Sequence, residues 1–421
     1  MTARVTEAAP RTGRWRRVSL VLAALGPGII AASAGNDAGG ISTYSVAGAE
    51  FGYRMLWLLP AMTLALIVVQ EMAVRMGAVT GKGFAALIRE RYGIRPSLFA
   101  MTALLVSNAA TSVSEFAGIA SAMELLGVSR YVAVPLAAAL VWLLVVRGSY
   151  RRVEKIMLAV SSVFVAYVAA AFLAGPDWSQ VARGTLVPSA AMEPEFILIA
   201  IAMVGTTIAP WMQFFVQANV VDKGVTAADL PVQRIDVVSG TVAAGVIAWC
   251  IVLTTGTVLA PAGVKISSAA DAATALAPVG GQHAAWLFAA GLLGASLLAA
   301  CVLPLTAAYA FCEAFGFERG IDRSWAEAPV FNGIYTFVIL FGAAFVLLPG
   351  LDLISIMVMS QVVGGVLLPF LLIYMMGIVN DRRIMGRHVN GRTFNVIAWT
   401  TIVVVIALSA ALLVLTVLGV G

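Results

Sequence analysis

Charged residues, cysteines and histidines are scarce in this sequence of 421 residues. Only 11% of the residues are charged whereas 61% are hydrophobic, a balance that excludes a water-soluble globular domain and predicts a membrane protein with many spans. The three cysteines lie at irregular spacing within apolar runs, which fits neither a disulfide framework nor a zinc site. Sequence patterns of catalytic sites are also missing, so we predict that the chain is not an enzyme and has no cofactor.

Long apolar runs make up most of the sequence. Crossing a hydrocarbon core of ~30 Å takes about 20 residues of helix, and the runs do not show the alternation that membrane strands require. We therefore predict an all-α integral membrane protein with about eleven transmembrane helices. The predicted spans are 19–48, 53–76, 98–126, 131–147, 154–174, 195–219, 236–260, 283–314, 330–349, 353–379 and 394–419.

Lysine and arginine residues concentrate on one side of these spans. If the N-terminus is cytoplasmic, the other side holds only Arg54, Arg130, Arg183 and Lys265, which leaves 22 of the 26 basic residues in the cytoplasm. The positive-inside rule therefore predicts a multi-pass protein of the cell membrane (inner or plasma membrane) with a cytoplasmic N-terminus. The net charge of +5 then reflects topology in the lipid bilayer, and we expect no binding to nucleic acid. The loop 81–93 predicts a short amphipathic helix lying on the cytoplasmic surface.

Two spans contain residues that helices tolerate poorly. In the first span, GNDAGG (35–40) places Asn36 and Asp37 among glycines, and each glycine weakens a helix by about 1 kcal/mol relative to alanine. In the sixth span, VGTTIAPWMQ (204–213) places Pro210 in the middle, where a proline frees a backbone carbonyl. Broken helices at spans one and six predict two inverted five-helix repeats with a substrate site at the midplane. The alternative, ordinary tolerated kinks, stays open.

The repeats also predict a division of the chain. We expect a cytoplasmic N-terminal tail at 1–18 and a ten-helix transport core at 19–379. Within the core, the first repeat covers about 19–174 and the second about 195–379. An additional transmembrane helix 11 then lies within 394–421.

Asp37 is the main candidate for binding a cation. A charged side chain at mid-span costs roughly 2.5–3.5 kcal/mol on insertion scales, and carboxylate, carbonyl and water oxygens are the ligands that hard cations prefer. The alternatives are a carboxylate that caps a half-helix or pairs with another helix. Asn36 is a second candidate ligand, although we expect it to cap the break. Glu71, Glu313 and Asp352 lie near span ends, where we expect solvated or capping roles.

Further polar and aromatic residues lie deep within the spans. Glu115 and Ser112 belong to a polar stripe on span three, where Glu115 fits a proton relay, a second cation contact or a helix-packing hydrogen bond. Gln361 in span ten fits a ligand or an interhelical hydrogen bond. Trp211 and Gln213 follow the break in span six, where Trp211 either lines the ion pathway or packs against its neighbours.

The sequence resembles the Nramp family of divalent-metal transporters in two stretches, GPGIIAASAGNDAGGISTYSVAGAEFGYRMLWLL and VQEMAVRMGAVTGK. In that family the first broken helix carries an Asp-Pro-Gly-Asn motif, and a GxVTGK sequence follows span two. IAPWMQ (208–213) is similar in position to the family's Met-Pro-His in the second broken helix, and SQVV with a later LPF resembles span ten. The resemblance covers spans one to ten and implies a leucine-transporter-like fold.

The resemblance implies that the metal is held by side chains of both broken helices and by backbone carbonyls. Of the family's ligands Asp37 is kept, whereas Gly40 stands in place of the Asn and Ala209 in place of the Met. Ala38 replaces the Pro of the first motif and Trp211 the His of the second. The implied metal site comprises Asp37, Ala34, Gly40, Thr206, Ala209 and Gln361, and the pocket around it comprises Asn36, Ala38, Gly39, Trp211 and Gln213.

With these departures the sequence resembles the Nramp-related magnesium transporter branch. Methionine sulfur is soft and selects Mn²⁺ or Fe²⁺, so its loss leaves oxygen ligands, and two smaller side chains widen the pocket for Mg²⁺, which usually keeps several waters. Ser112 stands where the family has an acid three residues before Glu115, and the paired arginines expected in span nine are absent. We therefore predict uptake of partly hydrated Mg²⁺, with Mn²⁺ as a second substrate, by alternating access without proton coupling and without an obligate protein partner.

Three alternatives stay open. A proton-coupled Mn²⁺/Fe²⁺ importer would show pH-driven uptake. An organic-cation or amino-acid symporter on the same fold would use Asp37 as the counter-ion in a widened pocket. A scaffold or an enzyme would transport nothing.

Overall fold

The computed structural model describes residues 36–146, 166–189, 191–320 and 323–417, which form helices and connecting turns without a β-strand. Most of the first predicted span, with Ala34, and much of the fifth lie outside the described residues. In chain order the helices are α1 (Ala38–Phe51), α2 (Leu58–Thr80), α3 (Phe84–Tyr92), α4 (Ile94–Leu125), α5 (Arg130–Val146), α6 (Ala166–Leu173), α7 (Trp178–Leu186), α8 (Pro194–Thr207), α9 (Pro210–Asp222), α10 (Leu230–Val258), α11 (Ala269–Thr274), α12 (Ala277–Gly280), α13 (Ala284–Phe315), α14 (Pro329–Val346), α15 (Leu353–Val379), α16 (Arg382–Met385) and α17 (Arg392–Val417).

Within the described part of the chain, eight candidate spans are long and apolar enough to cross a membrane, with α8 and α9 together forming one of them. These eight agree with the second, third and sixth to eleventh predicted spans. The fourth predicted span is the shorter apolar helix α5, and α1 and α6 are the described parts of the first and fifth. Helices satisfy their own backbone hydrogen bonds, which is why apolar runs of this length fold as helices in hydrocarbon.

The predicted break in span six is confirmed. Helix α8 ends at Thr207 and α9 begins at Pro210, with Ile208 and Ala209 in non-helical conformations between them. Proline suits the first position of a helix because the missing N–H would have no intrahelical partner there. In span one, Asp37 is non-helical and α1 begins directly after it.

Helix α1 lies at the centre of the helices described. It contacts α4, α8, α10 and α15, and all of its residues except Glu50 are buried. Glycines let these helices approach one another closely. A Cβ at Gly118 of α4 would overlap Ala38 and Ser296, and one at Gly205 of α8 would overlap the backbone of α15. Small residues at such contacts let membrane helices pack closely, so both broken helices are held in the interior.

Helix α17 lies at the periphery. It contacts α2, α8 and α15, and only 17% of its most apolar window is buried, against 89% for the window in α8 and α9. An apolar helix with so little protein around it has its remaining surface available to lipid.

The loops form two ends, which we call the basic end and the opposite end. The basic end carries α3, the connections at 223–229, 316–320 and 323–328, and the segment 380–391, whereas the opposite end carries 126–129 and 347–352. The predicted helix in 81–93 is confirmed as α3. Its apolar residues Phe84 and Leu87 are buried, and the Phe84 ring packs against Phe214 of α9, so this face covers the protein itself.

The predicted roles of the acids near span ends are borne out only in part. Asp352 caps α15 by accepting from the Ile354 amide at 3.1 Å. Glu71 is neither solvated nor a cap: its side chain is 5% exposed and forms ion pairs with Arg75 at 3.0 Å and Arg234 at 2.8 Å. The prediction for Glu71 was wrong because α2 continues beyond it to Thr80 and is covered there by α10 and by the segment before α17.

Candidate metal site

Asp37 lies at the N-terminus of α1 and is 2% exposed. One carboxylate oxygen, Oδ1, accepts a hydrogen bond from the Gly40 amide at 2.8 Å, which is the usual reach of a capping aspartate to the third residue of its helix. The N-terminal cap of α1 is therefore Asp37. The positive end of the α1 dipole further stabilises the negative charge of Asp37.

Glu115 lies beside Asp37. It is fully buried in α4, and its Oε2 accepts from the amide of Ala38, the residue after Asp37, at 3.3 Å. Its other oxygen, Oε1, has no hydrogen-bond partner in the described part of the chain. One oxygen thus makes a helix-packing hydrogen bond, and the other is free to meet a proton or a cation. Two neighbouring carboxylates repel each other unless a bound proton or cation neutralises part of their charge.

Gln361 and Gly39 bring α15 to the same place. A Cβ on Gly39 would overlap the Gln361 amide and would come within 2.8 Å of the Ser114 hydroxyl, so any other residue here would displace these side chains. The Gln361 amide nitrogen donates to Ser360 of its own helix at 3.0 Å. The Gln361 amide therefore lies against Gly39, two positions after Asp37. Its dipole acts at the start of α1.

The second break contributes small and polar groups. Thr206 is buried and its hydroxyl has no partner among the residues described, and the indole N–H of Trp211 likewise has none. With its amide nitrogen turned towards the backbone, Gln213 donates to the carbonyl oxygens of Ala209 at 2.8 Å and Pro210 at 2.6 Å. The Ala209 carbonyl also accepts from the Met212 amide at 3.1 Å, so Gln213 adds a second bond to the backbone at the start of α9.

Ser112 does not join this group. Its hydroxyl donates to the Val338 carbonyl of α14 at 3.3 Å, and it lies against Gly342 of the same helix. Three residues along α4 separate it from Glu115, and the two side chains make their hydrogen bonds to different elements, Glu115 to α1 and Ser112 to α14. The polar stripe predicted on span three therefore splits between the site and a helix contact.

Sequence reasoning missed a small cavity of about 20 Å³ next to both breaks. The Tyr44 hydroxyl bonds to the Thr207 hydroxyl at 2.8 Å and so joins α1 to the end of α8. Gln70 and Met212 also line the cavity. Gln70 could have been noticed in the sequence, because it is an amide in the middle of the apolar run LALIVVQEM. Its neighbours in the cavity could not have been predicted, because they come from distant parts of the chain.

The arrangement offers oxygen ligands. Among the residues that the structure describes, no group of three or more His, Cys, Asp or Glu side chains is placed to hold a metal ion. The carboxylates of Asp37 and Glu115, the hydroxyl of Thr206 and the amide of Gln361 are among the polar groups that the two breaks, α4 and α15 bring into the interior. Oxygen ligands of this kind suit hard divalent cations, with water completing the coordination.

Comparisons with known proteins agree with this architecture. The profile of the Nramp family, described as natural resistance-associated macrophage protein-like, matches residues 28–415. A relative from Deinococcus radiodurans, named divalent metal cation transporter MntH, is 29% identical over 423 residues, which cover 94% of this chain and 91% of the relative. A protein of the same name from Pectobacterium carotovorum subsp. carotovorum is 28% identical over 428 residues, which cover 99% of each.

Solved structures share the fold. A manganese transporter from Eremococcus coleocola superposes with a TM-score of 0.75 at 21% identity, covering 96% of this chain and 87% of that one. MhsT in complex with L-phenylalanine superposes with a TM-score of 0.60 at 13% identity, covering 95% of this chain and 98% of that one. The predicted leucine-transporter-like fold is confirmed. The relatives are membrane transporters, which confirms that the chain is not an enzyme. Because the family profile spans residues 28–415 of 421, the chain belongs to the Nramp family.

Proposed function

We propose that this Nramp-family transporter takes up Mg²⁺ as a partly hydrated ion, with Mn²⁺ as a second substrate, by alternating access and without proton coupling. Membership of the family and the names of its relatives support the coarser assignment, a divalent metal cation transporter in a membrane. The excess of basic residues at one end supports an orientation with the basic end and the N-terminus in the cytoplasm.

The observation that carries the proposal is the small size of the residues at positions 40 and 209. Gly40 offers only its backbone amide, which donates to Asp37, and Ala209 offers a methyl group at the start of α9. Other members of the family carry Asn and Met at these two positions. The site of this chain therefore has one side-chain amide and one sulfur fewer than theirs. Loss of the sulfur favours a hard cation, and the added space favours an ion that retains water.

A proton-coupled Mn²⁺ importer is the second candidate, and two observations favour it. Met212 lines the cavity beside Thr207, so a soft sulfur is present close to the second break. Glu115 also keeps one unpartnered oxygen next to Asp37, which is where a transferable proton would be held.

Transport by the purified chain in liposomes tests the proposal. Vesicles that contain a Mg²⁺-sensitive dye should show uptake driven by an inside-negative potential, and external Mn²⁺ should compete. Asp37→Ala is the control, since it removes the carboxylate together with its bond to the Gly40 amide. Uptake of Mn²⁺ without any uptake of Mg²⁺ would overturn the proposal in favour of the second candidate.

A further inference from the structure

Helix α17 has one exposed face along most of its length. Residues spaced three or four apart lie in a row on a helix surface, and such a row starts at Arg392 of the basic end. It continues through Val396, Trp399, Val403, Ile406, Ala410 and Leu413, all of which are exposed. We call these seven residues the α17 stripe. After its arginine the stripe is apolar, as expected of a helix surface in contact with lipid.

The far half of the α17 stripe borders a groove of about 500 Å³ between α15 and α17. Its walls are formed by Ile406, Ala410 and Leu413 of α17 and by Val366, Phe370 and Ile373 of α15. Apart from Ser409, the described residues that line the groove are apolar. Side chains on both walls are exposed, Phe370 by 43% and Ile406 by 46%. The groove therefore opens towards the lipid and offers hydrocarbon an apolar surface on two sides.

Positive charge accumulates where the α17 stripe begins. The segment 380–392 contains four exposed arginines, namely Arg382, Arg383, Arg387 and Arg392. Its one acid, Asp381, is already paired with Arg91 of α3 at 2.8 Å. None of the four arginines forms an ion pair with an acid in the described part of the chain. The segment therefore presents positive charge that the described protein does not neutralise, directly beside a membrane-spanning helix.

We propose that α15 and α17 bind one anionic phospholipid at the basic end. Its phosphate group pairs with Arg392 and the other arginines of segment 380–392, and an acyl chain follows the α17 stripe into the groove. Clusters of four or more basic residues next to a membrane helix attract anionic headgroups. The depth of the groove agrees: at about 1.5 Å per residue, Ile373 lies about 9 Å before the end of α15 at Val379. One leaflet of a ~30 Å hydrocarbon core spans about 15 Å, so a chain anchored at this end reaches the groove.

A second copy of the chain is the other candidate occupant, and charge disfavours it. Two copies in one membrane that are related by a two-fold axis would bring the same face of α17 together, because such an interface is self-complementary. Arg392 of one copy would then face Arg392 of the other, and like charges repel each other. An anionic headgroup neutralises these arginines, whereas a second copy adds four more.

Native mass spectrometry of the purified chain in detergent tests the headgroup contact. Dioleoyl phosphatidylglycerol should bind more tightly than dioleoyl phosphatidylcholine, which has the same chains without net charge. Arg392→Gln should weaken the binding of phosphatidylglycerol about fivefold, the usual contribution of one basic residue near an anionic lipid surface. Arg323→Gln is the matched control and should leave this affinity unchanged, because Arg323 is also exposed at the basic end but pairs with Glu327.

A second pair of variants tests the groove. Ala410→Trp places an indole where the acyl chain would lie, so this variant should lose the bound phosphatidylglycerol. Val404→Trp is its control, because Val404 is 45% exposed on α17 but belongs neither to the α17 stripe nor to the groove, and it should retain the lipid. Glycerol 3-phosphate, which has the phosphate without the chains, should not displace the lipid.

The readout is bound lipid, so the result does not depend on which ion is transported. Equal binding of the two lipids, an unchanged affinity in Arg392→Gln or retention of the lipid by Ala410→Trp would overturn the proposal. Displacement by glycerol 3-phosphate would show a site for free phosphate instead, and a dimer that dissociates in Ala410→Trp would assign the groove to a second copy. Should Arg392→Gln fail to fold, Arg387→Gln tests the same headgroup contact.

Discussion

Glu71→Gln is expected to destabilise the folded chain by about 3–5 kcal/mol, the usual cost of leaving one member of a buried ion pair without its partner. The Arg75 side chain is 6% exposed, and besides Glu71 it donates to the His388 carbonyl at 2.7 Å and to the Asn390 side chain. Glutamine keeps the shape of Glu71 and one acceptor oxygen. It removes the charge that balances Arg75, and the remaining partners are neutral.

Arg234 should contribute little to this cost. It also pairs with Glu71, at 2.8 Å, but its side chain is 53% exposed, so water solvates it when the pair is lost. Exposed ion pairs contribute about 0–1 kcal/mol. Arg234→Gln is therefore the matched control, with an expected loss of less than about 1 kcal/mol.

Thermal unfolding in detergent measures the difference. The entropy of unfolding is about 2.1 cal/mol/K per residue, which gives about 0.9 kcal/mol/K for the 421 residues. Glu71→Gln should therefore lower the Tm by roughly 3–6 °C and Arg234→Gln by about 1 °C or less. The double variant Glu71→Gln with Arg75→Gln should recover part of the loss, because no unbalanced charge remains. Equal shifts for Glu71→Gln and Arg234→Gln would refute the reasoning.

Three further predictions concern transport. Asp37→Ala should abolish Mg²⁺ uptake with expression intact, and Asp37→Glu should impair it because the longer side chain displaces water; wild-type rates in Asp37→Ala would remove this residue from the site. Uptake should leave the pH inside liposomes unchanged, as read by a pH-sensitive dye, whereas metal-dependent acidification would assign a proton relay to Glu115. Gly40→Asn with Ala209→Met should raise the affinity for Mn²⁺ relative to Mg²⁺ in titration calorimetry, because sulfur favours Mn²⁺. Each single change should have a smaller effect. An unchanged ratio of the two affinities in the folded double variant would show that these positions do not set selectivity.

The helices could be predicted because hydrocarbon imposes a strong local rule. Every span must satisfy its own backbone, so length and apolarity nearly suffice: the predicted span 353–379 coincides with α15, Leu353–Val379. The break at Pro210 was equally local, since proline cannot continue the helix before it. Asp37 was found for a similar reason, because a carboxylate in an apolar run requires a compensating environment wherever the run lies.

The pairing of polar groups could not be predicted in the same way. Asp37 and Glu115 stand out in the sequence, but their meeting depends on Gly118, which lets α4 approach Ala38. Thr241 and Gln70 are 171 residues apart and share a hydrogen bond, and no periodicity within either helix predicts that contact. A sequence gives the position of a side chain along its helix, whereas the partner depends on how the helices pack.

The energetics of a divalent ion explain how such a site could operate without protons. Two elementary charges moving through a membrane potential release about 4.6 kcal/mol per 100 mV, which corresponds to a concentration ratio of roughly 10³. An importer of a divalent cation therefore has a large driving force before any proton is coupled to it. The family's histidine and acid, replaced here by Trp211 and Ser112, and its paired arginines, absent from span nine, would add a further driving force that the proposed uptake of Mg²⁺ does not require. Under the proposed function the site must bind the ion weakly enough to release it, and an ion that keeps part of its water suits that purpose better than one held by a full set of protein ligands.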